Sequence, residues 1–162
     1  MAQKIVPSLW FDMQAEEAAL YYIDVFGDGR IVSTARYPEG APGPAGEVMS
    51  VEFEVAGMRL DGINGGPQFP FTEAVSLQVK CADQAEVDRL WDRFVGDGGE
   101  EGQCGWLKDR YGLSWQIIPE GMDEVFADPD PARAQRAVQA MLGMTRLDVA
   151  ALRAAADGVP VG

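Results

Sequence analysis

The chain has 162 residues, of which 47% are hydrophobic, so one domain or two fused half-units with an ordinary packed core is expected. Thirteen basic residues against 26 acidic ones give a formal net charge of −13, which argues against nucleic acid and against anionic membrane surfaces as partners. There is no histidine, and no apolar run approaches the roughly 18 residues that span a bilayer.

Ile5 to Phe11 predicts a short buried strand, rich at its start in β-branched residues. Ala15, Ala18, Ala19, Tyr22 and Phe26 recur at helical spacing, so a helix is expected over Ala15 to Phe26, ended by Gly27-Asp28-Gly29. Asp12 reads as a turn or helix-cap residue. Arg30 to Tyr37 predicts a strand. Pro38 to Gly46 is a proline- and glycine-rich loop. Glu47 to Val55 alternates, with Val48, Ser50, Glu52 and Glu54 on one face and Met49, Val51, Phe53 and Val55 on the other. Met58 to Ile63 returns as a hairpin partner, and Asn64-Gly65-Gly66-Pro67 breaks it.

Glu73 to Cys81 predicts a further strand. Asp83 with Glu86 resembles a capping box for a helix carrying Val87, Leu90, Trp91 and Phe94. Gly96 to Gly102 reads as an acidic turn. Gln103 to Lys108 and Gly112 to Ile118 read as strands joined around Asp109-Arg110-Tyr111, taken as a solvated charged turn. The remainder predicts two short helices. One has Ala134, Val138, Met141 and Leu142 on a face; the other has Leu147, Ala150, Ala151 and Ala154, with Thr145 and Asp148 at its start. Such short helices are marginal alone and need a surface to pack on, in this domain or in a second subunit. Asp157 to Gly162 is expected to fray.

The chain also repeats itself. Leu9 falls on Leu77 at an offset of 68 residues, and the same offset carries Ala19, Tyr22, Ile23 and Phe26 onto Val87, Leu90, Trp91 and Phe94. A strand–helix unit therefore occurs twice, and the order reads βαβββ twice. The fold class is α+β: two βαβββ units, about residues 4–66 and 73–120, forming a cupped mixed sheet within residues 1–121. Residues 122–157 form a C-terminal helical extension and 158–162 a tail.

Several segments carry a family resemblance. They include Pro7-Ser8-Leu9-Trp10-Phe11-Asp12, Gln14-Ala15-Glu16-Glu17-Ala18, Asn64-Gly65-Gly66-Pro67 and Glu73-Ala74-Val75-Ser76. Cys104-Gly105-Trp106-Leu107-Lys108-Asp109, Gly112-Leu113-Ser114-Trp115-Gln116-Ile117 and Asp128-Pro129-Asp130-Pro131 complete the set. Together they resemble the PhnB-like family, often labelled 3-demethylubiquinone-9 3-methyltransferase. That family lies in the vicinal oxygen chelate superfamily of glyoxalases, bleomycin-resistance proteins and dioxygenases.

The resemblance implies four metal-ligand positions, which fall here on Val6, about Asp61, Ala74 and Gln116. Valine and alanine offer no lone pair, and the usual histidines are missing, so no metal is expected. A methyltransferase needs a glycine-rich turn from strand to helix. Gly96 to Gly102 instead follows a helix and has Glu101 where a third glycine belongs, so that activity is not expected. No cofactor is implied.

By alternation and resemblance, the concave face carries Val6, Ser8 and Trp10, then Ala74, Ser76 and Gln78, then Ser114, Gln116 and Ile118. The candidate ligand-binding residues are Ser8, Trp10, Asp61, Ser76, Gln78, Trp106 and Gln116. A filled, satisfied polar interior is the competing reading. Trp91 and Trp115 belong to the core. Cys81 and Cys104, in no ligand pattern and with no export signal before them, read as free thiols in a reducing cytoplasm. Three functions stay open. The leading one is a metal-independent binder of a small organic ligand, cationic or aromatic. The others are an enzyme with Asp61 as general base, and a structural or regulatory module with a vestigial cavity. The resemblance implies a homodimer.

Overall fold

The computed structural model describes residues 3–159, and the chain divides between Phe71 and Thr72 into two compact units. The first holds β1 (Ser8–Phe11), α1 (Ala15–Phe26), β2 (Gly29–Arg36), β3 (Val48–Val55) and β4 (Met58–Asn64). Its sheet runs β1-β4-β3-β2, with β1 parallel to β4 and the other pairs antiparallel. The second unit holds β5 (Ser76–Cys81), α2 (Gln84–Gly96), β6 (Glu100–Glu101), β7 (Trp106–Lys108) and β8 (Ser114–Pro119). Its sheet runs β5-β8-β7-β6 with the same parallel pair at one edge, β5 on β8. Three helices follow: α3 (Met122–Phe126), α4 (Pro131–Leu142) and α5 (Val149–Ala156). No described helix is long and apolar enough to cross a membrane.

In the first unit α1 buries Ala15, Ala18, Ala19, Tyr22 and Val25 against Leu9, Phe11, Val51, Phe53 and Leu60. Gly27 ends it in the left-handed region, φ 67°, where its N–H reaches Ile23 O at 2.9 Å. Asp12 lies in the bend before the helix and does not cap it. Asn64 caps α1 from the end of β4. Its Oδ1 accepts from Ala15 N at 2.8 Å and its Nδ2 donates to Val48 O at 3.0 Å. β1 begins at Ser8, later than the sequence suggests. Pro7 has no N–H for the ladder, and Ile5 is 83% exposed. Val48 is buried, against the alternation that put it with Ser50, because the β2–β3 register shifts between Ala35 and Arg36 and turns it inward.

In the second unit α2 buries Val87, Leu90, Trp91 and Phe94 over Leu107, Trp115 and Ile117. Asp83 caps it, accepting from Glu86 N at 2.9 Å, and Glu86 reaches back to Ala82 N at 2.7 Å. Glu73 to Val75 form a turn, not the start of a strand, so β5 begins at Ser76. The segment read as an acidic turn contains β6, the first of the three strands that follow α2. Asp109 is 3% exposed and not a solvated turn charge. It accepts from Tyr111 N, Leu113 N and Trp115 Nε1.

The C-terminal helices pack within the second unit. Val125, Ala137, Leu152 and Ala156 form their core, with Met122, Phe126 and Met141 around it. The packed face of α4 thus centres on Ala137, and Leu142 is exposed. In α5 Leu152 and Ala156 are buried in place of Ala150 and Ala154. Asp148 caps α5 through Ala151 N, and Leu147 is fully buried. Asp157 does not fray; it pairs with Arg133, and the Gly158 and Val159 amides bond back to Ala155 O and Ala154 O. Residues 160–162 of the expected tail lie outside the described range.

Candidate functional site

The face of the second sheet turned away from α2 is polar. Trp115 and Ile117 point to the helix, so alternation sends Ser114 and Gln116 to the other side. The register then fixes the neighbours. Ser76, Ser114, Lys108 and Glu100 lie side by side across the four strands. Gln78, Gln116 and Trp106 form the next row. Facing residues on adjacent strands are close enough to interact directly. Gln116 Nε2 donates to Ser76 Oγ at 2.8 Å, linking the two rows.

A cavity of about 400 Å³ opens beside these rows. It is lined by Glu73, Glu100, Glu101, Gln103, Trp106, Lys108 and Ser114, with Gly102 and Leu107. Lys108 Nζ lies 2.5 Å from Glu73 Oε1. That ammonium holds the Glu73 carboxyl below its ordinary value, and the carboxylate in turn raises Lys108. Trp91 Nε1 donates to Glu101 Oε1 at 2.8 Å. Ser114 is 1% exposed, and its Oγ finds no hydrogen-bond partner among the described residues. A larger depression of about 530 Å³ lies between α4 and the end of α5. Arg136, in its lining, is engaged with Ala156 O.

Four of the seven candidate residues, Ser76, Gln78, Trp106 and Gln116, are thus neighbours on one sheet face, although Gln78 is exposed and only Trp106 lines the cavity. The other three belong to the first unit. There Ser8 Oγ donates to Asp61 Oδ2 at 3.1 Å. Arg59 joins Glu52 at 3.3 Å and Glu54 at 3.2 Å, while Arg30 reaches Glu54 at 2.7 Å and holds that carboxyl low. Trp10 is half-buried and engaged by its own unit. Its Nε1 donates to Gly66 O at 2.8 Å and its ring meets Phe69 edge-on, centroids 5.0 Å apart.

Sequence reasoning placed Ser114 on this face but gave it no role. Its missing partner is a tertiary fact that alternation cannot show. Glu73, Glu100, Glu101 and Lys108 escaped because each reads as an ordinary surface charge.

The donor set does not fit the metal of the superfamily. Val6 and Ala74 bring hydrocarbon to two of the four implied positions, and Ala74 sits in the turn before β5. Among the described residues no three of His, Cys, Asp and Glu come together as a metal site. Cys81 and Cys104 are free, and burial pushes the Cys81 thiol up to about 12.

Two strand–helix–three-strand units, each with its first strand parallel to its last, define a protein of the vicinal oxygen chelate superfamily. Within it the chain belongs to the PhnB-like family, whose model, described as 3-demethylubiquinone-9 3-methyltransferase, matches residues 3–118. A putative 3-demethylubiquinone-9 3-methyltransferase, PhnB protein, from Bacillus cereus is 35% identical, with TM-score 0.65 over 72% of this chain and 99% of its own. Protein PA1353 from Pseudomonas aeruginosa shares the fold at 23% identity and TM-score 0.59, over 74% of this chain and 98% of its own. So does the fosfomycin resistance protein FosX from Listeria monocytogenes, in complex with Mn(II) and sulfate. It is 12% identical, with TM-score 0.54 over 78% of this chain and 96% of its own. No curated protein matches.

Proposed function

We propose that the protein binds a small organic molecule without a metal, on the polar face of the second unit's sheet. The observation that carries this reading is Ser114. A buried hydroxyl without a partner is costly, and here it sits in the wall of a cavity. An aromatic side chain, an amide and a few charges around such a cavity are a usual recipe for ligand recognition. Metal independence rests on the valine and alanine at two ligand positions and on the absence of histidine from the sequence.

The methyltransferase description of the family is not adopted for the activity. The glycine-rich segment after α2 leads into β6, not from a strand into a helix as a nucleotide-type cofactor turn does. A homodimer, implied by the resemblance, is part of the proposal. Sedimentation should give twice the chain mass.

The test is a thermal-shift screen of small organic molecules on chelator-treated protein, wild type beside Trp106→Ala. The proposal expects hits that survive chelation and weaken in the variant. Hits that vanish on chelation, or that ignore Trp106, count against it.

A further inference from the structure

Ser8 and Ser76 hold equivalent places in the two units, and each faces a residue of the last strand, Asp61 and Ser114 respectively. In the first unit the pair satisfies itself, the Ser8 hydroxyl donating to Asp61 at 3.1 Å. In the second, Ser76 Oγ is taken by Gln116 Nε2, and Ser114 Oγ is left unmatched at 1% exposure. Its free lone pairs can accept an N–H from outside the chain.

Charge says what kind of donor. The cavity wall carries Glu73, Glu100 and Glu101 against Lys108. The Lys108 ammonium bonds Glu73, and Glu100 faces it across β6 and β7. Glu101 has one oxygen on Trp91 Nε1. Negative charge is left in excess beside Trp106, whose ring face favours a cation.

Building on the binding reading above, we propose that this cavity takes an organic ammonium cation on an aromatic or apolar body. One N–H donates to Ser114 Oγ, the charge faces Glu73 and Glu100, which lie on that side of the sheet with Lys108, and the body lies against Trp106. An acidic surface and a net charge of −13 speed capture of such a cation.

Three probes share one ring and differ in charge: benzylamine, benzyl alcohol and benzoate. Each is titrated into the full chain while the amide signals of Trp106, Lys108 and Ser114 are followed by NMR. Benzylamine should bind at least tenfold more tightly than benzyl alcohol, with benzoate weaker again. Its affinity should fall several-fold as salt rises to about 0.3 M. Glu100→Gln should weaken benzylamine and spare benzyl alcohol. Ser114→Ala should weaken benzylamine about fivefold while the melting temperature holds or rises, because it deletes an unmatched buried group. A fall in melting temperature would mean that the hydroxyl has an internal partner, and would overturn the proposal. Benzoate binding as tightly as benzylamine at the same amides would overturn the cation assignment and leave small-molecule binding standing. No response at these amides to any probe would overturn both.

Discussion

The indole N–H of Trp115 donates to Asp109 Oδ2 at 2.9 Å, six residues back across the β7–β8 turn. The same carboxylate accepts from the Tyr111 and Leu113 amides at 2.8 and 3.1 Å. It therefore fixes the turn and the register of β8, on which Ser114 and Gln116 ride. Asp109→Ala strands these donors in a buried site and should lower stability by about 3 kcal/mol. Chemical denaturation measures this, and Asp109→Asn should cost less, since its amide oxygen still accepts. Equal losses for both would show that the turn does not depend on these bonds.

Gly65 is required by Trp10. A Cβ at Gly65 would stand 2.0 Å from Trp10 Cζ2, inside the indole that Gly66 and Phe69 hold in place. Gly65→Ala should destabilise by roughly 1–3 kcal/mol through overpacking. Pairing it with Trp10→Ala should recover part of that loss, which a double-mutant cycle reads directly.

The C-terminal helices extend beyond the family match, yet they complete the second unit. Cys104 N donates to Met144 O at 2.8 Å and Gly105 N to Thr145 O at 2.7 Å. Gly105 packs against Leu147, and Arg146 spans Asp88 and Asp92 on α2. Truncation after Glu120 removes those acceptors and uncovers Leu147's site. The shortened chain should melt well below the full one or fall out of solution. An unchanged melting temperature would show that the helices are dispensable.

The Lys108–Glu73 pair gives a pH signature. Glu73 is lowered from 4.5, first by the Lys108 hydrogen bond and then by a backbone bond, so its contribution to stability is full above the unfolded value and fades as pH falls through the folded one. Lys108 is raised from 10.5 by the same partner, so its contribution is full below that value and is lost as pH climbs through the folded one. Carboxyl NMR should show Glu73 titrating below 4.5 in the wild type and moving upward in Lys108→Met. No movement would mean that the pair is not held in solution.

Much of the fold is legible in the sequence, because the 68-residue repeat and helical spacing report the hydrophobic faces that drive packing. The helix Ala15 to Phe26 and the Trp91 core position follow from that periodicity, and the Trp115 core position from its place on a strand of the sheet. β6 was missed because two glutamates carry no apolar pattern; pairing with Lys108 and Leu107 makes them a strand. Asn64, at the end of β4, gives no sign that it caps a helix 49 residues earlier. The site was half legible. Alternation separates the two faces of each strand and the family resemblance says which is concave, so Ser76, Gln78 and Gln116 fall together with Ser114. Whether a hydroxyl on that face has a partner depends on which rotamer its neighbour adopts, and no local pattern encodes that.

The proposed metal-free ligand site has Trp106 and Ser114 in its wall. Native mass spectrometry of the protein purified from its own host, after dialysis against a chelator, tests it most directly. The account predicts a bound organic molecule on wild type that is lost in Trp106→Ala. A molecule that departs with the chelated metal, or that stays on Trp106→Ala in full, would contradict it.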